Sequence, residues 1–284
     1  MEHNELRKTN ATAQSKVNIL GVGISAIYQE FVLDQIDAWI VNDDREYISN
    51  CTVNTVMECQ KNISMLEAIN NASLATPDGM PLVWLANWGS DHPVGRVYGP
   101  DLMLAVCERS VHLGHKHYLY GGAKGVPELL AAELKNRYAG LQIVGEFSPP
   151  FRSLTPEEED REIEMINDAD PDIIWVGLGT PKQDLWMAKH RPRLNASVII
   201  AVGAAFDFHT KRKKQAPVWM QRNGLEWLYR LIQEPNRLWY RYLVHNPWFV
   251  LKLIEQQTGL REYPLRGANV QSLKTSASNW FNFR

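Results

Sequence analysis

The stretch DIIWVGLGTPKQDLWMAKH, residues 172–190, decides the fold. A short apolar run closes on glycines and gives way, from 181, to apolar residues at helical spacing. Residues 172–179 therefore read as a buried strand and 181–190 as a helix, with Pro181 suited to the first helical turn. The next apolar run, SVIIAVGAAFDF at 197–208, reads as another strand. Strand, helix and strand in that order call for parallel pairing within an α/β fold.

The same alternation extends toward the N-terminus. Helices are expected at 155–167, 126–138 and 100–113, with strands at 141–147 and 117–122 between them. Earlier still, MLEAI (65–69) lies in a helical stretch, and YISNCTVNT (47–55) is β-rich. The chain opens with a strand at 17–23 (VNILGVG) and a helix at 26–41. The expected body is thus a mostly parallel, Rossmann-like sheet flanked by helices, covering 17–210. In such sheets ligands bind outside the carboxyl ends of the strands. Those ends carry Thr52 to Asn54, Gly121-Gly122, Gly177 to Thr180 and Gly203 to Asp207.

Composition changes near 211. The net charge of −2 conceals a window, 211–241, with eight Lys or Arg against Glu226 and Glu234, so about +6 there and near −8 elsewhere. This window leads into two expected helices hinged near Pro235, and five of the ten tryptophans lie beyond residue 218. A basic face carrying interfacial aromatics suits an anionic membrane surface, so residues 211–258 are read as a helical docking appendage. The acidic remainder argues against nucleic acid as a partner. Residues 1–16 are expected to be flexible and 259–284 loosely ordered.

No run approaches the roughly 18 to 20 apolar residues of a membrane span, and the polar N-terminus supplies no secretory signal. Cys51, Cys59 and Cys107 are odd in number and lack CxxC spacing, so neither a disulfide framework nor a zinc site is expected. Asp168 and Asp170 mimic a metal-binding DxD, but they fall where a helix turns into the next strand, at the edge opposite the crevice. No metal and no cofactor are expected.

Two motifs stay open on their residues alone. YGGAKG (120–125) follows a strand and opens a helix, and it either cradles a diphosphate or simply turns the chain. It is not GxGxxG, which counts against a dinucleotide oxidoreductase. Asp78 in TPDG reads, taken alone, as a turn residue. The GLGTPKQD loop is better furnished, since turning the chain requires Gly and Pro but neither Lys182 nor Gln183.

The ordered set resembles the WecG/TagA/CpsF family of bacterial glycosyltransferases. It comprises Thr52-Val53-Asn54, Asp78-Gly79, Arg96-Val97-Tyr98-Gly99 with Asp101-Leu102, Tyr120-Gly121-Gly122, Val176 to Gln183, and Gly224 to Arg230 continuing to Glu234-Pro235 and Arg237. The resemblance spans about residues 17 to 258. It implies metal-independent, inverting transfer of a hexose-type sugar from a UDP-sugar to a polyprenyl-diphosphate-linked saccharide. The enzyme would be cytoplasmic, peripheral on the inner face of the plasma membrane and able to self-associate as a homo-oligomer.

On that resemblance Asp78 is the general base, and Arg230 and Arg237 hold the donor diphosphate. Thr52, Asn54, Arg96, Gln183, Gly121 and Gly122 position substrates. The chain departs from the family pattern at Lys211 and Gln215, at Asp184, and at Ser148-Pro149-Pro150-Phe151. A non-catalytic scaffold that binds nucleotide sugars or lipids is the competing reading.

Overall fold

The computed structural model describes residues 15–267. Six strands form one sheet: β3 (Glu46–Cys51), β4 (Leu74–Pro77), β5 (Lys116–Gly121), β6 (Gln142–Phe147), β7 (Ile173–Gly177) and β8 (Val198–Ala201). Their order is β4-β3-β8-β7-β5-β6, with every neighbouring pair parallel. This is the expected α/β architecture, and it brings all six carboxyl ends to one edge.

The decisive stretch is interior on both faces, as a central parallel strand must be. Ile173 and Trp175 of β7 join Val198 and Ile200 of β8 on one side. There they meet α1 (Gln29–Asn42), α5 (Gly99–Leu113) and α6 (Val126–Arg137). Ile174, Val176 and Ile199 face the other side, against α7 (Pro156–Asp168) and α8 (Lys182–His190). Burial at about 25 cal/mol per Å² of apolar surface drives both layers.

Several boundaries differ from the sequence reading. The expected strand at 17–23 is a hairpin, β1 (Lys16–Ile19) and β2 (Val22–Ser25), antiparallel and outside the main sheet. The turn uses positive φ at Leu20 and Gly21, and Asn18 Oδ1 accepts from the Gly21 N–H at 2.8 Å. β3 stops at Cys51, because Thr52 caps α2 (Val53–Cys59) through a reciprocal box with Thr55. The run 197–208 breaks after Ala201, with Gly203 at positive φ leading into the short α9 (Ala205–His209).

MEHNELRKTNATAQ, the first fourteen residues of the expected flexible N-terminus, lies outside the described residues, whereas Lys16 belongs to β1 and is buried. α3 (Ile63–Asn70) contains the MLEAI stretch, and α4 (Met80–Trp88) occupies an apolar run that had no assignment. Asp78 therefore follows a strand rather than a helix. Asp170 pairs with Lys116 and the Asp172 carboxylate accepts from the Lys116 N–H, at the amino edge of the sheet.

The appendage holds four helices where two were expected: α10 (Val218–Arg222), α11 (Glu226–Gln233), α12 (Pro235–Leu243) and α13 (His245–Gln257). Gly224 at positive φ separates the first pair, and Pro235 begins the third helix. Beyond it, residues 259–267 are not loose. Tyr263 is buried against the hairpin cluster, its carbonyl accepts from Asn18 at 2.8 Å, and the Arg266 carbonyl accepts from Asn70 at 2.7 Å. Residues 268–284 lie outside the described residues. No helix among the described residues is long and apolar enough to cross a membrane.

Candidate active site

A cleft of about 2060 Å³ opens over the carboxyl edge of the sheet and is roofed by the appendage. Single small ligands occupy roughly 300–1,000 Å³, so two substrates fit side by side. Asp78, Asn54, Arg96, Gln183, Arg230 and Arg237 all line it.

Asp78 owes its position to the sheet. Its N–H donates to the Cys51 carbonyl at 2.9 Å, extending the β3–β4 pairing by one residue. The Val97 N–H donates to the Pro77 carbonyl at 3.0 Å, laying the 96–99 segment alongside. From there the Gly99 N–H donates to Asp78 Oδ2 at 3.2 Å, and Arg96 Nη2 lies 3.6 Å from Oδ1. The Asp78 side chain is 16% exposed. Burial pushes its carboxyl up to about 6, opposed by Arg96 and reinforced by the Glu226 carboxylate.

Glu226 comes from the appendage. Its Oε2 accepts from Arg96 Nη2 at 2.7 Å, and the Arg96 guanidinium lies 4.0 Å from the centroid of the Tyr98 ring. Gln221 Oε1 accepts from Arg96 Nη1 at 3.3 Å. Arg96 is thus clamped between body and roof, directly beside Asp78.

The remaining predicted residues divide by what they touch. Asn54 reaches the cleft from the first turn of α2, and Thr52 lines it while its hydroxyl is engaged in capping. Gln183 is buried, and its Oε1 accepts from the N–H groups of both Gly179 (3.0 Å) and Gly203 (3.2 Å). It staples the exit loops of β7 and β8 together, so its main contact is with the protein.

Gly122 lines the cleft, whereas Gly121 lies behind it. A Cβ on Gly121 would come within 2.7 Å of the Gly177 backbone, and its φ of +127° is a glycine conformation. The Phe206 ring fills the space above: a Cβ on Gly177 would meet it at 3.0 Å and one on Gly122 at 3.3 Å. The Gly122 N–H donates to the Gly177 carbonyl at 3.0 Å, which commits that amide to the turn.

Cations gather under the roof. Arg237 pairs with Glu234, which also accepts from Lys213 at 3.1 Å. Arg230 and Arg241 form no ion pair among the described residues; they lie near the Phe208 and Tyr242 rings respectively. Arg241 Nε is buried without a hydrogen-bond partner among the described residues. Burial, with Arg230 and Arg237 nearby, holds the Arg241 guanidinium below its usual range, against a smaller opposing influence from Tyr242. An anion entering the cleft would find these charges uncompensated.

From sequence Asn50 does not stand out, Glu226 is only part of the Gly224 to Arg230 motif, and Arg241 belongs only to the basic, tryptophan-rich face. Asn50 is buried in β3 and lines the cleft; its Oδ1 accepts from Thr76 at 2.6 Å while its Nδ2 has no partner among the described residues. Asn is depleted in buried strands, and that was the signal available. Among the described residues no group of three or more His, Cys, Asp or Glu is placed to hold a metal ion.

Asp78 and the guanidinium cluster share one cleft, in which a carboxylate can accept a hydroxyl proton while cations hold a departing anion. Comparison with known proteins shows the family. The profile described as the glycosyl transferase WecG/TagA/CpsF family matches residues 17–263. A Bacillus subtilis (strain 168) protein named N-acetylglucosaminyldiphosphoundecaprenol N-acetyl-beta-D-mannosaminyltransferase is 27% identical over 206 residues, covering 72% of this chain and 77% of that relative. A Staphylococcus aureus (strain MRSA252) protein of the same name is 27% identical over 251 residues, covering 87% and 96%. With a fold and cleft that accord with a match over most of its length, the chain belongs to the WecG/TagA/CpsF family of glycosyltransferases.

Proposed function

We propose that this glycosyltransferase moves a hexose-type sugar from a UDP-sugar to a polyprenyl-diphosphate-linked saccharide, with inversion and without an essential metal. UDP-N-acetylmannosamine, its uronic acid, UDP-glucose and UDP-glucuronate are the donor candidates. The names of the two relatives, both acting on a diphosphoundecaprenol-linked sugar, support the acceptor class. The observation that carries the reading is the Asp78 carboxyl, seated in the cleft and titrating near 6, facing a roof of arginines.

In the single displacement, the acceptor hydroxyl oxygen bonds to the anomeric carbon as the bond from that carbon to UDP breaks. Asp78 takes the hydroxyl proton, and UDP leaves with the bonding electron pair. A base with a pKa near working pH combines ionisation with proton affinity. Arg230 and Arg237 meet the growing charge on the diphosphate, the task a metal performs elsewhere. Asn54 and Arg96 orient the reacting sugars.

The appendage is also read as the face that meets an anionic membrane, with homo-oligomers and a peripheral site on the inner leaflet following the same reading. Trp219, Trp239 and Trp248 are exposed there beside the basic residues, which supports it. A non-catalytic scaffold would not need an ionisable carboxyl raised toward neutrality in a cleft shared with arginines that form no ion pair among the described residues. Asp78→Asn tests the proposal: UDP binding by calorimetry should persist, and turnover of a lipid-diphosphate acceptor should fall by about 10²–10⁴. Unchanged turnover removes Asp78 from the mechanism.

A further inference from the structure

The transfer chemistry uses the polar floor of the cleft and leaves one wall unexplained. That wall is apolar: Val53 on α2, Met80, Trp84 and Leu85 on α4, and Val250 and Leu253 on α13. α4 begins two residues after Asp78, so the wall starts beside the reacting centre. Leu85 and Leu253 pack, partly buried, over a cluster containing Leu82, Ala86 and Phe249, which places α4 and α13 on the two sides of one groove.

Its outer rim is exposed among the described residues. Trp84 is 50% exposed, Trp88 77% and Val250 53%, with Leu251 and Ile254 exposed farther along α13. A nucleobase or a sugar face could stack on one ring of this wall, but neither is long enough to cover its whole apolar length. An apolar lining continuous with a polar site marks a ligand with both characters. Arg241 supplies the matching polar end, since it lines the same cleft from the helix preceding α13, with its Nε unpartnered and no ion pair formed among the described residues.

We infer that the groove between α4 and α13 receives the first isoprenoid units of the lipid acceptor, while Arg241 holds the diphosphate to which they are attached. The inference rests on the proposed acceptor class. In such an acceptor one C–O bond joins the isoprenoid to the diphosphate, so a chain anchored at Arg241 must leave along whatever surface adjoins it. The apolar wall is that surface. Burying each methylene raises affinity up to about fourfold, so a few isoprene units can account for a large preference.

The test uses the full chain in detergent-free solution with two soluble acceptors. Both carry the same saccharide diphosphate, one ending in a farnesyl chain and the other in a methyl group. Wild type should favour the farnesyl acceptor at least tenfold in kcat/KM. Trp84→Ala and Val250→Asn, at half-exposed positions on the wall, should each lower that ratio about threefold or more; as a ratio it cancels any general loss of activity. Arg241→Gln should raise KM for both acceptors and preserve the ratio.

Equal use of the two acceptors by wild type overturns the groove, as does a ratio that survives both rim substitutions. If those substitutions weaken sedimentation with anionic vesicles but leave the ratio intact, the wall faces the bilayer rather than the chain, and the inference fails. An unchanged KM in Arg241→Gln removes Arg241 as the anchor. Transfer to neither acceptor, with UDP still bound, instead overturns the proposed acceptor class itself.

Discussion

The body and the appendage obtain their order in different ways. In the body, β7 and β8 are apolar on both faces and buried on both, so the sheet is complete within the chain. In the appendage, α10 and α11 have no buried residue at all, and α12 buries only Leu238 and Tyr242. Strongly amphipathic helices that bury so little depend on what they rest against. Here they rest on the body through Glu226, with Phe249 of α13 added beside them, while Trp219 and Trp239 remain exposed. On the proposed mechanism the body supplies the base, and the appendage supplies the charges that stabilise the departing diphosphate.

Substitutions at five positions probe that division. The largest effect is expected in the body, where Asp78→Asn removes the base itself. Next comes the roof: Arg230→Ala should lower kcat/KM about 10- to 10³-fold and weaken UDP binding. Arg230→Lys should recover only part of the loss, because an ammonium cannot reproduce the guanidinium's paired donors. If Arg230→Ala were as active as wild type, the roof would serve as an anchor only.

Membrane contact should respond more modestly. Trp239→Ala with Trp248→Ala should reduce cosedimentation with anionic vesicles several-fold, and the bound fraction should fall as salt rises. The affinity for UDP in solution should stay as it was, so a parallel loss of UDP binding would count against a purely peripheral role for these rings.

The smallest effect tests the joint between the two regions. Burial and, to a lesser degree, the Glu226 carboxylate raise the Asp78 carboxyl to about 6 against the opposing pull of Arg96. Ionised Asp78 is the active form, so kcat/KM should fall as pH drops through about 6. Glu226→Gln removes a negative neighbour, which favours ionised Asp78 and moves that acid limb to lower pH. A limb that stays in place would show that the roof does not tune the base.

Much of the body was legible because its strands are apolar runs ending in glycines, and α8 follows its strand with Pro181 at the start. The hairpin was hidden because its Leu20-Gly21 turn lacks the usual Asn-Gly signal. α4 escaped because MPLVWLANW is apolar on every side and offers no period to read. In the site, Asp78, Asn54, Arg96 and Arg230 fall in one cleft as the motifs implied. Glu226 did not stand out, because its partner Arg96 lies 130 residues away and proximity in space leaves no trace in spacing. The compositional break at 211 is visible, yet Phe249 and Tyr263 complete a core cluster of the body, so the appendage cannot be cut away cleanly.

The ring of Phe206 lies over Gly177 and Gly122, while Gly121 clears the Gly177 backbone only because it has no side chain. A substitution at any one of these four positions is therefore expected to need a compensating change at another. A methyl group added at any of the three glycines must wait for the ring to shrink or the strands to part. Residues 149–154 border the cleft outside this lock, so a change of side chain there can reshape the rim without disturbing the ring and glycines.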